Sequence, residues 1–359
     1  MQLSIILSSS GQRGTAADSN YDRSADFLWG SIEARTAALM QGIAFLPLNG
    51  FAPTGSLSVS TRAPQNQCPA HTAVVVDGVA QNANVIRFPR AISASTTTVR
   101  QFVASQAPHA DELALFWRGV LEKNCGAIIA LTTQMDSQQY RLPDYCPVED
   151  ESEVTFFQRS ELGLCVPDCG LEGPEHSHIT ESHHNTGSES EYEETIAVKT
   201  NATVQIKRSA TRTLNNPQWA NTLQATIATY AVKVFGTNGQ VLSEGNVQRW
   251  HYNNWPDMGV VSSVEEFAKV IETVDSEFNG LNPLVHCVAG IGRTGALIAG
   301  LILKQQIAER KIQKHELPQL IEEIVLELRL QRGKCFVYTD SQLDILIKYG
   351  EMLLIPPSS

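Results

Sequence analysis

The chain has no stretch of eighteen consecutive apolar residues, the length a bilayer-crossing helix needs. It also lacks a surplus of positive charge: 27 Lys and Arg stand against 38 Asp and Glu, a net charge of −11. Charge of that sign disfavours nucleic acid and anionic membrane as bulk partners. The start, Met1-Gln2-Leu3-Ser4-Ile5-Ile6-Leu7, has no basic head and too short an apolar run for a Sec signal peptide. The 7 cysteines are odd in number and scattered, which argues against a disulfide framework and for a reducing compartment. These absences predict a cytoplasmic chain without a transmembrane segment. No internal repeat is evident, and 359 residues with 42% hydrophobic content suffice for one large core.

What the chain does contain is His286-Cys287-Val288-Ala289-Gly290-Ile291-Gly292-Arg293-Thr294-Gly295. Pro283-Leu284-Val285 before it is short, apolar and strand-like, and Ala296 to Lys304 after it reads as a buried helix. A tight glycine-containing turn from a strand into a helix N-terminus points successive N–H groups inward, and the helix dipole adds positive potential. That is a cradle for an anion. Cys287 at its base is a nucleophile. A thiol with a pKa near ~8.5 is mostly protonated at neutral pH, and a helix N-terminus with a neighbouring arginine lowers that value by several units. Arg293 offers a planar fork for two oxygens of one oxyanion. Thr294 places a hydroxyl where it stabilises the Cys287 thiolate as a leaving group.

The pattern His-Cys-x5-Arg-Thr-Gly after a strand resembles the signature of the cysteine-dependent protein tyrosine phosphatases. Trp255-Pro256-Asp257, which ends 30 positions before Cys287, resembles that family's acid loop. There Trp255 anchors the hinge, Pro256 stiffens the turn, and Asp257 protonates the leaving phenolate and later deprotonates water. Phe102 to Pro108 with Phe116-Trp117, the apolar Gly126 to Leu131, and Pro143-Asp144-Tyr145-Cys146-Pro147 extend the likeness. In the last of these, Cys146 stands at the usual tryptophan position. Leu328 to Arg332 and Val337 to Gln342 carry it to about residue 355, from a start near 65. The resemblance implies an α/β fold, a twisted mixed sheet with helices on both faces. It implies that His286 organises hydrogen bonds around the loop, that Gln342 positions water, and that Val288, Ala289, Gly290, Ile291, Gly292 and Trp255 contact substrate. It implies hydrolysis through a phosphocysteine with no cofactor and no metal, acting on phosphotyrosine-containing proteins as a monomer.

The residues between Cys287 and Arg293 carry no charge, which favours a monophosphorylated aryl ester over a polyphosphorylated lipid. A dual-specificity or lipid phosphatase is the alternative enzyme. A phosphotyrosine-binding pseudophosphatase that serves as an adaptor is the alternative binding module. Three departures from the family pattern matter. Tyr338 stands where a first glutamine aligns, leaving Gln342 alone. Cys68, in Asn66-Gln67-Cys68-Pro69, stands where a substrate-stacking aromatic aligns. The acid that braces the arginine is not obvious, with Asp136 a candidate. The phrasing of Pro143-Asp144-Tyr145 and of Ser341 to Lys348 is closest to phosphatases that bacteria inject into host cells, which implies an effector role.

Punctuation predicts the organisation. Residues 1–67 form an N-terminal extension, with a helix over about 24–46 whose apolar face is Leu28, Ile32, Leu39 and Ile43, then a Gly/Pro/Ser/Thr-rich connector. Residues 68–359 form the catalytic domain, with a flexible acidic insertion at about 165–194. Cys165, Cys169, His176, His178, His183 and His184 there have spacings a zinc ion accepts, but acidic surroundings without an apolar shell favour a solvated loop. Strands are expected at Glu153–Arg159, Thr195–Thr213 and Leu223–Phe235, the last with a parity slip that marks a bulge. Helices are expected at Ser263–Phe278, Leu317–Leu330 and Ser341–Leu354. His251 and His315 are expected at the surface or a strand edge.

Overall fold

The computed structural model describes residues 25–46, 61–63, 65–88, 100–158, 165–167, 202–214 and 226–355. Among them ten strands hydrogen-bond into one sheet. In chain order they are β1 (Ala73–Val76), β2 (Val79–Phe88), β3 (Arg100–Ser105), β4 (Ala127–Ala130), β5 (Glu153–Gln158), β6 (Cys165–Pro167), β7 (Thr203–Thr213), β8 (Thr226–Phe235), β9 (Val241–His251) and β10 (Leu284–His286). Across the sheet they run β1-β2-β3-β10-β4-β9-β8-β7-β5-β6. β10 lies parallel between β3 and β4, and β4 lies parallel to β9. The other pairings are antiparallel. The helices are α1 (Ala25–Leu39), α2 (Leu113–Glu122), α3 (Gln134–Tyr140), α4 (Val264–Glu277), α5 (Gly292–Arg310), α6 (Leu317–Arg332) and α7 (Asp340–Leu353).

A parallel strand covered on both faces must be apolar at every position. Ala127, Ile128, Ile129 and Ala130 of β4 are all fully buried. Successive residues point to opposite faces. Ala127 and Ile129 therefore join a core shared with α1 and α4 to α7, while Ile128 joins a second core shared with α2. Val285 and Leu284 of β10 divide the same way. The mixed sheet with helices on both faces is thus the architecture the sequence implied.

β10 is short, and the chain passes from it through residues 287–291 into α5. Every residue of α5 from Gly292 to Leu303 is buried. A helix apolar all round belongs in a core, and here it gives the preceding loop a rigid base. The flanking helices begin where their caps place them. Ser263 accepts from Glu266 N at the start of α4, with Glu265 and Glu266 at the positive end of the dipole. Thr339 and Gln342 form a capping box on α7.

Three expectations are corrected. The first helix stops at Leu39 and passes into a 3-10 turn over Met40–Gly42. Leu28, Ile32 and Thr36 are its buried stripe, so Thr36 takes the place expected of Leu39 and Ile43, which are only partly covered. The slip expected within β8 belongs to its neighbour. Register shifts where Arg208 and Ala210 face Tyr230 and Thr229, so the extra residue is Ser209 of β7. His251 is half-buried and not on an edge strand, because β9 runs between β4 and β8; its Nε2 lies 2.7 Å from the Thr132 carbonyl oxygen. Residues 1–22, the 51–60 part of the connector, Asn215-Asn216-Pro217 and most of the acidic insertion, including Cys169 and its four histidines, lie outside the described residues. No described helix is long and apolar enough to cross a membrane.

α1 packs on α6 and α7. Arg329 of α6 donates from Nη1 to Glu33 Oε1 at 2.7 Å and to Thr36 Oγ1 at 3.0 Å, and its guanidinium lies 5.2 Å from the Trp29 ring centroid. Ile32 is fully buried in the same core as α5. Ile32→Ala is therefore expected to lower the unfolding free energy by about 2–5 kcal/mol. Urea denaturation monitored by tryptophan fluorescence measures this, and an unchanged midpoint would show that α1 does not share the core.

Candidate active site

The loop between β10 and α5 is shaped by where its carbonyls go. His286 Nδ1–H donates to Cys287 O at 3.2 Å, and Ala107 N donates to Val288 O at 2.9 Å. Arg332 donates from Nη2 to Ala289 O at 3.4 Å and from Nε to Gly290 O at 3.2 Å. Val337 N donates to Ile291 O at 3.2 Å. With the oxygens drawn outward, the loop amides face the opposite way, and no described carbonyl accepts from the N–H of Val288, Ala289, Ile291 or Gly292. Gly290 has φ of +68°, and a Cβ there would come 2.1 Å from Ser105 O, so only glycine fits. Gly295 is held as tightly, since its Cβ would lie 2.5 Å from Val337 N. No side chain caps α5, so its first N–H groups add to the cradle.

Cys287 is buried beneath these amides. Burial alone raises a thiol's pKa, but Arg293, the Thr294 hydroxyl and the Thr294 and Gly290 amides outweigh it, and the Cys287 pKa falls below the ordinary thiol value. Thr294 Oγ1 is itself buried and has no partner within normal hydrogen-bond geometry, so it is free to turn to the sulfur. His286 is pushed down to about 3 by burial and is neutral at pH 7, which removes it as an acid. With Nδ1–H on Cys287 O, Nε2 is the acceptor. Tyr145 Oη donates to it at 2.6 Å and accepts from Arg249 Nε at 3.0 Å.

Arg293 assembles the rest. Its Nη1 donates to Asp136 Oδ2 at 2.6 Å and to the Trp255 carbonyl at 3.0 Å. Its Nη2 donates to Asp257 Oδ1 at 2.7 Å. Its Nε is buried without a partner. Nη1 is thus tied to the scaffold, while the Nε and Nη2 edge is the one that faces an oxyanion. Asp136 is buried and its Oδ2 also accepts from Thr133 N at 2.7 Å, so the bracing carboxylate is part of the α3 capping box. The Trp255 ring is buried against Phe267, and its Nε1 donates to Gly259 O at 3.0 Å. Trp255 meets the site through its carbonyl, which accepts from Arg293 Nη1.

Gln342 Nε2 donates to Gly259 O at 3.3 Å and abuts Gly292, where a Cβ would lie 2.9 Å away. Its Oε1 accepts from Tyr338 N at 2.9 Å, so only the amide N–H face is left for a water. Cys68 is remote from any aromatic role: it is fully buried, and its thiol donates to Asn84 Oδ1 at 3.0 Å beside Arg332.

Two functional contacts carried no sequence signal. Tyr140 Oη donates to Asp257 Oδ2 at 2.9 Å, although Tyr140 and Asp257 are far apart in the chain. Arg332 is fully buried under the loop, where a charged residue in an amphipathic helix reads as solvated. Alkylation of Cys287 by iodoacetamide is expected to titrate below the usual thiol pKa of about 8.5. Arg293→Met should move that midpoint up, Thr294→Val should move it up by less, and an unchanged midpoint in both would refute the electrostatic account.

Comparison with known proteins agrees with this geometry. The family described as protein-tyrosine phosphatase matches residues 59–162 and 184–349. Tyrosine-protein phosphatase 2 of Dictyostelium discoideum is 21% identical over 244 residues, covering 67% of this chain and 49% of that protein. The tyrosine-protein phosphatase YopH of Yersinia pseudotuberculosis is 32% identical over 118 residues, covering 28% of this chain and 24% of that protein. The chain therefore spans about half the length of the first relative and about a quarter of the second. Among solved structures, PTPN18 in complex with HER2 phosphopeptides shares the fold with a TM-score of 0.57, at 21% identity over 92% of each chain. A match of this extent on a shared fold makes the chain a member of the protein-tyrosine phosphatase family.

Proposed function

We propose that the protein hydrolyses phosphotyrosine in protein substrates through a phosphocysteine intermediate. The observation that carries this is the Asp257 carboxylate held on the oxyanion-facing edge of Arg293 at 2.7 Å, beside a loop that lowers the pKa of Cys287. A phosphoryl dianion takes the Nε and Nη2 edge of Arg293 and the free loop amides. It displaces Asp257 from Nη2 and leaves that carboxyl group next to the bridging oxygen, still within reach of Tyr140. The Cys287 thiolate attacks phosphorus in line, the bond to the phenolic oxygen breaks, and Asp257, which takes up a proton from solvent once it has left Arg293, passes that proton to the phenolate. Asp257 then takes a proton from a water that the Gln342 amide holds as donor, and the water oxygen bonds to phosphorus as the S–P bond breaks. The thiolate leaves, stabilised by Thr294. Tyr140 positions the acid without touching the reacting atoms.

The phosphopeptide complex of PTPN18 supports a protein substrate, and the uncharged Val288 to Gly292 supports an aryl monoester. A role as a bacterial effector on host phosphoproteins is the finer reading; the Yersinia likeness over 118 residues is its support. An adaptor without turnover fits less well, because Cys287, Arg293 and Asp257 are all present and joined.

Cys287→Ser should abolish turnover of p-nitrophenyl phosphate while keeping phosphopeptide binding. Asp257→Ala should cost about 10²–10⁴ in kcat and capture phosphoproteins, and capture from bacterial but not host lysate would remove the effector role. Tyr140→Phe should cost about fivefold to tenfold on phenyl phosphate, the scale of one hydrogen bond. It should cost much less on p-nitrophenyl phosphate, whose leaving group needs little protonation; equal losses on both would show that Tyr140 does not act through the acid.

A further inference from the structure

A second cavity, of about 260 Å³, lies against His286, and neither Cys287, Arg293 nor Asp257 lines it. It is therefore separate from the anion cradle. Leu142, Pro143 and Pro147 supply apolar wall, and Tyr145 and Arg249 supply polar wall. The small Cys146 side chain is part of the lining, in the segment that leads away from Tyr145.

Arg249 is what gives the space a chemistry. Its Nε is spent on Tyr145 Oη, and its guanidinium carbon lies 5.1 Å from the Tyr145 ring centroid. Among the described residues no carboxylate comes within ion-pair distance of it, and its two Nη nitrogens donate to no protein group. The other charged groups facing the space do not compensate it. Arg208 is itself a cation and is paired with Asp150 at 2.8 Å, and Asp144 is exposed at the mouth. His251 is occupied with the Thr132 carbonyl. Arg249 is half-buried, so its guanidinium has lost part of its hydration, and an anion entering the cavity would offset that loss.

We propose that this cavity is a binding site for a small organic carboxylate. The planar Nη1 and Nη2 edge of Arg249 takes the carboxylate in a bidentate pair, and a compact apolar body packs on Leu142, Pro143 and Pro147. The volume lies just under the roughly 300–1,000 Å³ of drug-sized pockets, which sets the ligand at the size of one ring with a short arm. A carboxylate fits better than a phosphate dianion, because a single unpaired cation faces the space and Asp144 stands at its mouth. The ligand also reaches the catalytic loop, since Arg249, Tyr145 and His286 form one hydrogen-bonded chain ending on the Cys287 carbonyl.

The test is calorimetric titration of the full-length protein with phenylacetate, with orthovanadate saturating the cysteine loop so that Arg293 is blocked. Saturable binding is expected, with the isosteric amide phenylacetamide at least tenfold weaker. Arg249→Gln should weaken phenylacetate at least tenfold by removing the fork. Cys146→Phe should do the same by filling the space with Arg249 intact. Absence of saturable binding, equal affinity for acid and amide, or binding unchanged by both variants overturns the site. The comparison of acid with amide decides the matter in the unmodified protein if either variant fails to fold. Because binding is read directly, its failure leaves the phosphatase reading untouched, and failure of turnover leaves this site untouched.

Discussion

Between Cys287 and Ile291 each carbonyl oxygen has a donor outside the anion cradle, and these donors come from His286, Ala107, Arg332 and Val337. A peptide unit is planar and its N–H opposes its C=O. Holding the oxygens outward therefore aims the N–H groups inward before any ligand arrives. Such preorganised donors are the strongest kind of electrostatic help, because nothing has to reorient during the reaction. The fold serves this constraint: β10 delivers the chain, α5 anchors its exit, and α6 brings Arg332 underneath. Among the described residues Arg332 has no carboxylate partner. Its guanidinium is satisfied by Asn82 Oδ1 at 2.8 Å, Asn84 Oδ1 at 2.9 Å and the loop carbonyls, so its charge adds to the positive potential at the cysteine.

Arg293 distributes a single charge between two carboxylates with different freedom. Asp136 is buried and fixed by the α3 cap, so it orients the guanidinium. Asp257 is partly exposed on the segment after β9 and accepts from Tyr140 as well. A fixed carboxylate and a releasable one on the same cation separate the tasks of shaping the site and supplying a proton. A dianion that competes for Nη2 exchanges places with the releasable one. Trp255 keeps the backbone of that segment close through its buried ring, while its carbonyl closes on Nη1. The same logic reaches α1, whose Glu33 and Thr36 bind Arg329. That arginine also donates to the carbonyls of Phe336 and Val337, next to the strap that holds Ile291 O.

The departures from the family pattern are explained by neighbours distant in the chain. Cys68 is a buried thiol on Asn84, in a network that supports Arg332, and its burial raises its pKa. Tyr338 packs its ring at the edge of the main core and gives its backbone N–H to Gln342, which leaves that glutamine with a donor face alone. Thr36 closes the buried stripe of α1 because its hydroxyl accepts from Arg329, a contact no hydrophobic periodicity contains. The bulge lies at Ser209 of β7, and β8 itself alternates without a break: Ala228, Tyr230, Val232 and Val234 face the second core while Ile227 faces the first.

Local order alone determined the nucleophile, its arginine, the glycine turn and the apolar strands and helices around them. Their chemistry depends on spacing of a few residues, so Cys287 to Thr294 is legible as a string of letters. Two-sided burial likewise leaves its mark on Ala127 to Ala130 as an unbroken apolar run. The tertiary structure alone decided which carboxylate braces Arg293, which hydroxyl holds Asp257, and which arginine turns the loop inside out. Asp136, Tyr140 and Arg332 come from elements 157, 117 and 42 positions away from the groups they bind. A hydrogen bond of 2.6–3.2 Å has no sequence period when its partners meet only through the packing of a sheet.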